Sequence, residues 1–493
     1  MKNLNLLRNT FGTAAKRLTY NSTLLLLILS LYACEDNLME EPKSVTAENF
    51  YNTPEEVEAG VNAIYNPMRF NRAEYIAVLD AHTDWGYGRG SRANYNDFEG
   101  FNSGNINVST GRWNAFYESI RNANLVIQNA PDGTSISQEE VDGFVAEAKF
   151  LRALAYFDLV RNWGGVPLRT EENMTDINVS KSTADEVYEL ILSDLMEAEN
   201  DLPEEPGNIG RPTTYAAKTL LADVYLTLER FEEASQKAKE VMDSNRFALV
   251  PASSIEDLQW NLFGPEILTS TEEIFSFKYM RHPGQGNFML WILNHPSTSL
   301  FNFGGAYAHY SDSANTFYTN WDDADLRKAL WDQIDFGLGS TTLVSKKYID
   351  PSAVSQNGAG NDLPIYRYAE VLLIYAEAAS RVAGGPTPET MEALNQVHRR
   401  AYGQNPSSPS SVDFSIEDYD AETFLDLVLQ ENAYEFQFEG KRWLDLKRTG
   451  RAAEAIMDVK GISIAEKHYL WPIPPEELSF NEAMSVEDQN PGY

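Results

Sequence analysis

The residues best suited to chemistry are aromatic rings set among glycines and a few polar groups. Asp84-Trp85-Gly86-Tyr87-Gly88-Arg89 places two rings, a guanidinium and a carboxylate within six residues, with glycines that let the rings stand clear of the backbone. Sugars present flat C–H faces, so a sugar site pairs aromatic platforms with a few side chains that hydrogen-bond hydroxyls. Trp85, Tyr87 and Arg89 are therefore candidates for one side of such a site, and Trp291, Tyr307, Tyr310 and Trp321 for a facing arc. The chain holds 9 Trp, 25 Tyr and 24 Phe, so most rings must fill a core, and each named ring competes with that role. Arg89 could equally serve a surface ion pair.

Covalent chemistry has little support. The six histidines (His82, His282, His295, His309, His398 and His468) show no short metal-binding spacing, and no H-E-x-x-H is present. There is no G-x-S-x-G elbow and no P-loop. Gly86-x-Gly88-x-Gly90 lacks the preceding strand and following helix of a dinucleotide fingerprint. A glycosidase needs only two carboxylates about 5 to 10 Å apart, and 73 acidic residues leave that alternative open. The expectation is a protein that is not an enzyme and needs no cofactor or metal. The acidic stretch Asp322-Asp323-Ala324-Asp325 would suit a structural Ca²⁺, with solvated carboxylates as the plainer reading.

Charge narrows the partners. With 39 Lys and Arg against 73 Asp and Glu, the formal charge is −34, which repels phosphate backbones and argues against nucleic acid. A neutral sugar meets no such repulsion. Residues 1–33 hold Lys2, Arg8, Lys16 and Arg17 and no acid, followed by an apolar run from Leu24 to Ala33. That run is too short for a hydrocarbon core needing about 20 residues and reads as a secretory signal. It stops at Cys34, the only cysteine, in the order Leu31-Tyr32-Ala33-Cys34, which resembles a bacterial lipobox whose thiol takes a lipid. Several acyl chains make a firm membrane anchor. Glu35, Asp36, Glu40 and Glu41 follow in a tether over 34–46 and resemble the export signals of surface lipoproteins. One thiol allows no internal disulfide, so packing must hold the fold.

The rest divides into a helical region, 47–245, and a region 246–493 that contains an irregular stretch, 260–345. Thr53-Pro54-Glu55-Glu56 supplies a cap and a first-turn proline, and Val57, Val61 and Ile64 share one face. Phe144 to Trp163 is amphipathic and stops at Gly164-Gly165 and Pro167. Thr183-Ala-Asp-Glu186 is a capping box. Two helices meet near Glu229-Arg230 within 214–243, with Ala222, Tyr225 and Ala234 as the small and aromatic positions of a tetratricopeptide-like pair. A second pair is predicted over Tyr368 to Ala383 and Pro386 to Ala401. Such pairs bury their faces only by stacking, which predicts a mainly α superhelix carrying an irregular, loop-rich subdomain. Residues 80–113 and 260–345 break the pattern, and long irregular segments tend to hold function.

Three motifs carry a resemblance: Ala146 to Leu168 with its closing Gly-x-Val-Pro, Glu435-Phe-Gln-Phe-Glu-Gly-Lys-Arg-Trp-Leu-Asp-Leu-Lys-Arg448, and Leu470-Trp-Pro-Ile-Pro474 with Asn481 and Gln489-Asn-Pro-Gly-Tyr493. Together with the cysteine and the helix pairs, the chain resembles the SusD/RagB family over 34–493, least over 245–345. Asn432 departs from the arginine common there. The resemblance implies a tetratricopeptide-like scaffold that captures glycan outside the cell and passes it to a SusC-like TonB-dependent transporter in the outer membrane. It further implies that the segment after the first helix supplies an aromatic contact and an arginine. RagB-like relatives are associated with peptide uptake, which is the main alternative. On the residues alone these motifs read as scaffold: Arg442 and Asp445 share a helical face and can pair with each other or with neighbouring carboxylates, while Trp443 and Leu446 fill the core.

Overall fold

The structure, a computed structural model, describes residues 50–493 apart from residue 103. The signal segment 1–33, Cys34 and the 34–46 tether lie outside the described residues. Residues 51–493 form one unit. Helices of seven residues or more are labelled α1 to α11.

Five of them open the chain in succession: α1 (Pro54–Ala81), α2 (Ile106–Asn129), α3 (Gln138–Trp163), α4 (Ala184–Asp201) and α5 (Thr214–Thr227). Next come α6 (Phe231–Asp243), then α7 (Tyr368–Ala383), α8 (Pro388–Ala401), α9 (Ala421–Glu435), α10 (Arg442–Arg448) and α11 (Ala452–Lys460). Each of α2 to α6 packs on its predecessor, and α7 packs on α6 although more than a hundred residues separate them. This is the stacked-pair superhelix that the periodicity predicts, with the irregular subdomain inserted between α6 and α7. The described helices include none long and apolar enough to cross a membrane.

Local sequence explains the helix ends. Thr53, Ser137 and Thr183 each close a capping box with a glutamate three residues on, at Glu56, Glu140 and Glu186. Helix α3 thus starts earlier than its apolar stripe, at the Ser137 cap, and α8 begins at Pro388 behind a Thr387 cap rather than at Pro386.

The insertion holds two small sheets. Strands β1 (Tyr87–Gly88), β3 (His309–Asp312), β5 (Thr342–Ser345) and β4 (Trp331–Gln333) form one in the order β1-β3-β5-β4; β2 (Glu273–Phe277) pairs β6 (Leu363–Arg367) in the other. β1 belongs to the loop after α1, so this pairing joins the two irregular regions.

The motifs of the resemblance work as joints. Trp163 at the end of α3 donates Nε1 to the Pro472 carbonyl at 2.9 Å, and Asn490 Nδ2 reaches the carbonyls of Trp163 and Trp471 at 2.9 and 2.7 Å. Glu435 and Glu439 sit in a buried ion network: Arg367 is 2.9 Å from Glu435 and 2.7 Å from Glu439, Arg327 is 3.2 Å from Glu435, and Arg400 is 3.1 Å from Glu272. Glu435 is held below the usual carboxylate range by Arg400, Arg367 and Arg327, against the opposing effect of burial. Trp443 and Leu446 are buried as expected. Arg442 and Asp445 do not pair with each other: Arg442 reaches Asp84 at 2.6 Å and Asp445 holds Arg448 at 2.8 Å. At Asn432, the preceding Glu431 pairs instead with Arg327 at 2.7 Å.

Candidate ligand-binding surface

Strand pairing in register Tyr87↔Tyr310 and Gly88↔His309 lays the loop after α1 against the insertion. The Tyr87 and Tyr310 rings stack with centroids 5.4 Å apart and planes 21° from parallel. Asn315 donates Nδ2 to the Tyr87 hydroxyl at 3.2 Å and to the Asp84 carbonyl at 3.1 Å, which fixes the ring against its own loop. Gly86 and Gly88 are required for close approach rather than for ring clearance: a Cβ would meet the Asp80 carbonyl oxygen at 1.9 Å and that of Arg92 at 2.3 Å.

Arg89 extends the surface. Its guanidinium carbon lies 4.1 Å from the Tyr307 ring centroid and 5.6 Å from that of Phe336, and Nη2 donates to the Ala306 carbonyl at 2.7 Å. It makes contacts with main chain and rings, not the surface ion pair that its type also allowed. Tyr307 packs edge-on against Phe336 at 4.8 Å, and His295 stacks on Phe336 at 5.6 Å. Lys460 Nζ lies 4.4 Å from the Tyr87 ring centroid, with burial pulling its ammonium down to about 7. Tyr87, Arg89, His295, Tyr307, Tyr310 and Phe336 are all half-buried, so each keeps part of its surface for a ligand. Burial pushes the Tyr87 and Tyr310 hydroxyls up, so both stay protonated donors at neutral pH.

The structure brings together Tyr87, Arg89, Tyr307 and Tyr310 and removes two other candidates. Trp85 is 1% exposed, edge-on to Phe438 at 5.1 Å and Trp331 at 5.8 Å. Trp321 is 3% exposed, stacked on Tyr434 at 4.1 Å, with Nε1 given to Asp325 at 2.8 Å. Neither has a free face, and both support the subdomain from inside. Trp291 is half-buried and stacks on Phe288 at 5.1 Å; only its main chain joins the ring surface, accepting the Ala306 N–H at 2.6 Å. Phe336, His295, Phe288 and Lys460 were not singled out from sequence. Phe336 carried a signal, a ring in the glycine loop Asp335-Phe-Gly-Leu-Gly339, much like the 84–89 segment.

The Asp322–Asp325 stretch does not converge on a cation. Asp322 accepts the Tyr402 hydroxyl at 3.0 Å, Asp323 pairs with Lys328 at 2.6 Å and Asp325 with Arg327 at 2.6 Å. Among the described residues no group of three or more His, Cys, Asp or Glu is placed to hold a metal ion. A cavity of about 310 Å³ in the helical half includes Asn432, but its charged groups are engaged by its own wall, Lys441 with Glu370 at 2.7 Å, Arg448 with Glu377 at 2.6 Å and Lys447 with the carbonyls of Arg161 and Tyr469 at 2.6 and 3.1 Å. It lies away from the ring surface and reads as an incompletely filled helix joint.

Two family models match the chain: the SusD family over residues 297–493, and a family described as starch-binding associating with outer membrane over 39–226. SusD-like protein P2 of Formosa agariphila is 27% identical over an alignment covering 96% of this chain and 99% of its own. Among solved structures, a SusD homolog from Bacteroides thetaiotaomicron superposes with a TM-score of 0.77 at 23% identity, covering 91% of this chain and 98% of its own. Surface glycan-binding protein A from Bacteroides thetaiotaomicron, solved in complex with laminarihexaose, gives 0.72 at 22% identity, covering 89% and 99%. With family matches at both ends, a relative aligned over nearly its whole length and the same helical fold, the chain belongs to the SusD-like family.

Proposed function

We propose that this protein captures oligosaccharide or polysaccharide at the cell surface without chemical change and delivers it to a SusC-like TonB-dependent transporter in the outer membrane. In this reading residues 1–33 direct export, lipid on Cys34 holds the protein at the membrane, and 34–46 is the tether. The observation that carries the reading is the half-exposed ring surface of Tyr87, Tyr310, Tyr307 and Phe336 with Arg89 laid across it. Rings offer platforms to C–H faces, and Arg89 and the tyrosine hydroxyls offer donors to sugar hydroxyls. A structural neighbour solved with laminarihexaose and the family description as starch-binding associating with outer membrane support the same ligand class. The test is affinity electrophoresis of the protein through gels carrying a panel of polysaccharides, beside peptide titrations. Retardation by a glycan supports capture; saturable binding of peptides alone would replace glycan by peptide as the cargo.

A further inference from the structure

Next to the ring surface, α1 and the 279–288 loop enclose a cavity of about 250 Å³, lined among others by Arg69, Phe70, Glu74, Arg112, Tyr279 and Phe288. Phe288 is the ring on which Trp291 stacks, and the Trp291 carbonyl accepts from Ala306, next to Tyr307, which links the cavity to the surface described above. Its size falls just below that of drug-sized ligand pockets, which start at roughly 300 Å³, and suits one saccharide unit of a chain.

Its charges are unusual for so acidic a protein. Arg112 reaches it from α2 and is only 9% exposed, yet among the described residues its one hydrogen bond is from Nη1 to the Asn71 carbonyl, at 2.6 Å. Nε is buried with no acceptor. Burial pulls this guanidinium down to about 10. Arg69, on the same wall, reaches the carbonyls of Lys278 at 3.2 Å and Gln285 at 3.5 Å and lies 5.5 Å from the Tyr279 ring centroid, with no carboxylate. The one acid in the lining, Glu74, is paired with Arg92. Glu74 acts on Arg112 only through space, its ion pair being with Arg92; a desolvated guanidinium with no carboxylate bonded to it is costly, and its fork matches a carboxylate or sulfate by two parallel hydrogen bonds. Phe70, 69% exposed, supplies an uncovered ring at the mouth.

We propose that this cavity is an anionic subsite in which Arg112, with Arg69 beside it, receives the carboxylate or sulfate of an acidic saccharide whose ring lies against Phe70 and Phe288. The inference rests on the glycan-capture reading and narrows it to a ligand class. It assigns the net positive lining a purpose that a neutral glycan would leave unused.

The test titrates the full-length protein with three probes of comparable length: a uronate chain (oligogalacturonate), a sulfated galactan and the same galactan desulfated. The expected result is tighter binding of the uronate or the sulfated chain than of the neutral one, weakening as salt is raised. In Arg112→Gln the ratio of acidic to neutral affinity should fall about tenfold, the scale of one lost charge-assisted contact. Arg69→Gln should lower the same ratio and guards against misfolding of the first variant. Preference for the uronate or for the sulfate identifies the group. Equal affinity for charged and neutral chains, or an undiminished ratio in both folded variants, overturns the anionic subsite while leaving capture standing. Absence of binding to any glycan, these probes and a wider neutral panel included, overturns the capture reading and the subsite with it.

Discussion

Tyr87 and Tyr310 stack at 5.4 Å because the two-residue strand after the first helix pairs in register with a strand of the distant insertion. The candidate site is thus made by a sheet contact between two irregular regions, and its geometry depends on the main chain of 86–89 as much as on the rings.

That dependence predicts the effect of one methyl group. In Gly86→Ala the new Cβ would fall 1.9 Å from the Asp80 carbonyl oxygen, so the loop must shift. The expected cost is about 1–3 kcal/mol of stability, with weaker ligand binding from a displaced Tyr87. Urea unfolding and calorimetry on the same sample check both parts.

Buried rings should behave differently from surface rings. Trp85→Ala and Trp321→Ala each empty a core position and should cost about 3–5 kcal/mol, read as a lower urea midpoint. A Trp321→Ala protein of unchanged stability would contradict its placement against Tyr434.

The ion network around Glu435 should be sensitive to the loss of one partner. Glu435→Ala leaves Arg367, Arg400 and Arg327 short of a carboxylate in a dry core and should destabilise by about 3–5 kcal/mol. Equilibrium unfolding of the variant against the parent measures it.

How much of this was legible in the sequence depends on the range of the interaction. Caps, periodicity and glycine stops are local, so the helix pairs and the superhelix could be read directly, down to the Thr53 cap and the Thr183 box. The ring surface was legible in part: Tyr87, Arg89, Tyr307 and Tyr310 lie in the irregular regions that composition singles out. Whether a ring fills the core or faces solvent is settled by packing between distant segments, so Trp85 and Trp321 look from sequence like the tyrosines beside them. The same applies to Arg112, which sits in a regular helix and acquires its character only from the lack, among the described residues, of a carboxylate bonded to it and of an acceptor for its Nε.

Buried lysines give the stability a pH dependence of known sign. Burial, with Arg161 nearby, pulls Lys447 from 10.5 down to about 7, and its ammonium meets main-chain carbonyls rather than a carboxylate. Between those two values the unfolded chain holds a proton that the folded chain has released, so stability rises with pH across the window; below about 7 this group adds no slope. Lys447→Met should remove its share of the rise and leave that of Lys460, which is pulled down to about 7 in the same way. Urea unfolding at several pH values within the window measures the slopes.

The most direct test of the central claim is calorimetric titration of Tyr87→Ala and Tyr310→Ala with a glycan that the parent protein binds, at matched thermal stability. The account predicts that either variant weakens binding by about tenfold or more, the scale of losing one ring of a stacked hot spot. Two folded variants that bind with the parent's affinity would contradict it and place the ligand elsewhere on the molecule.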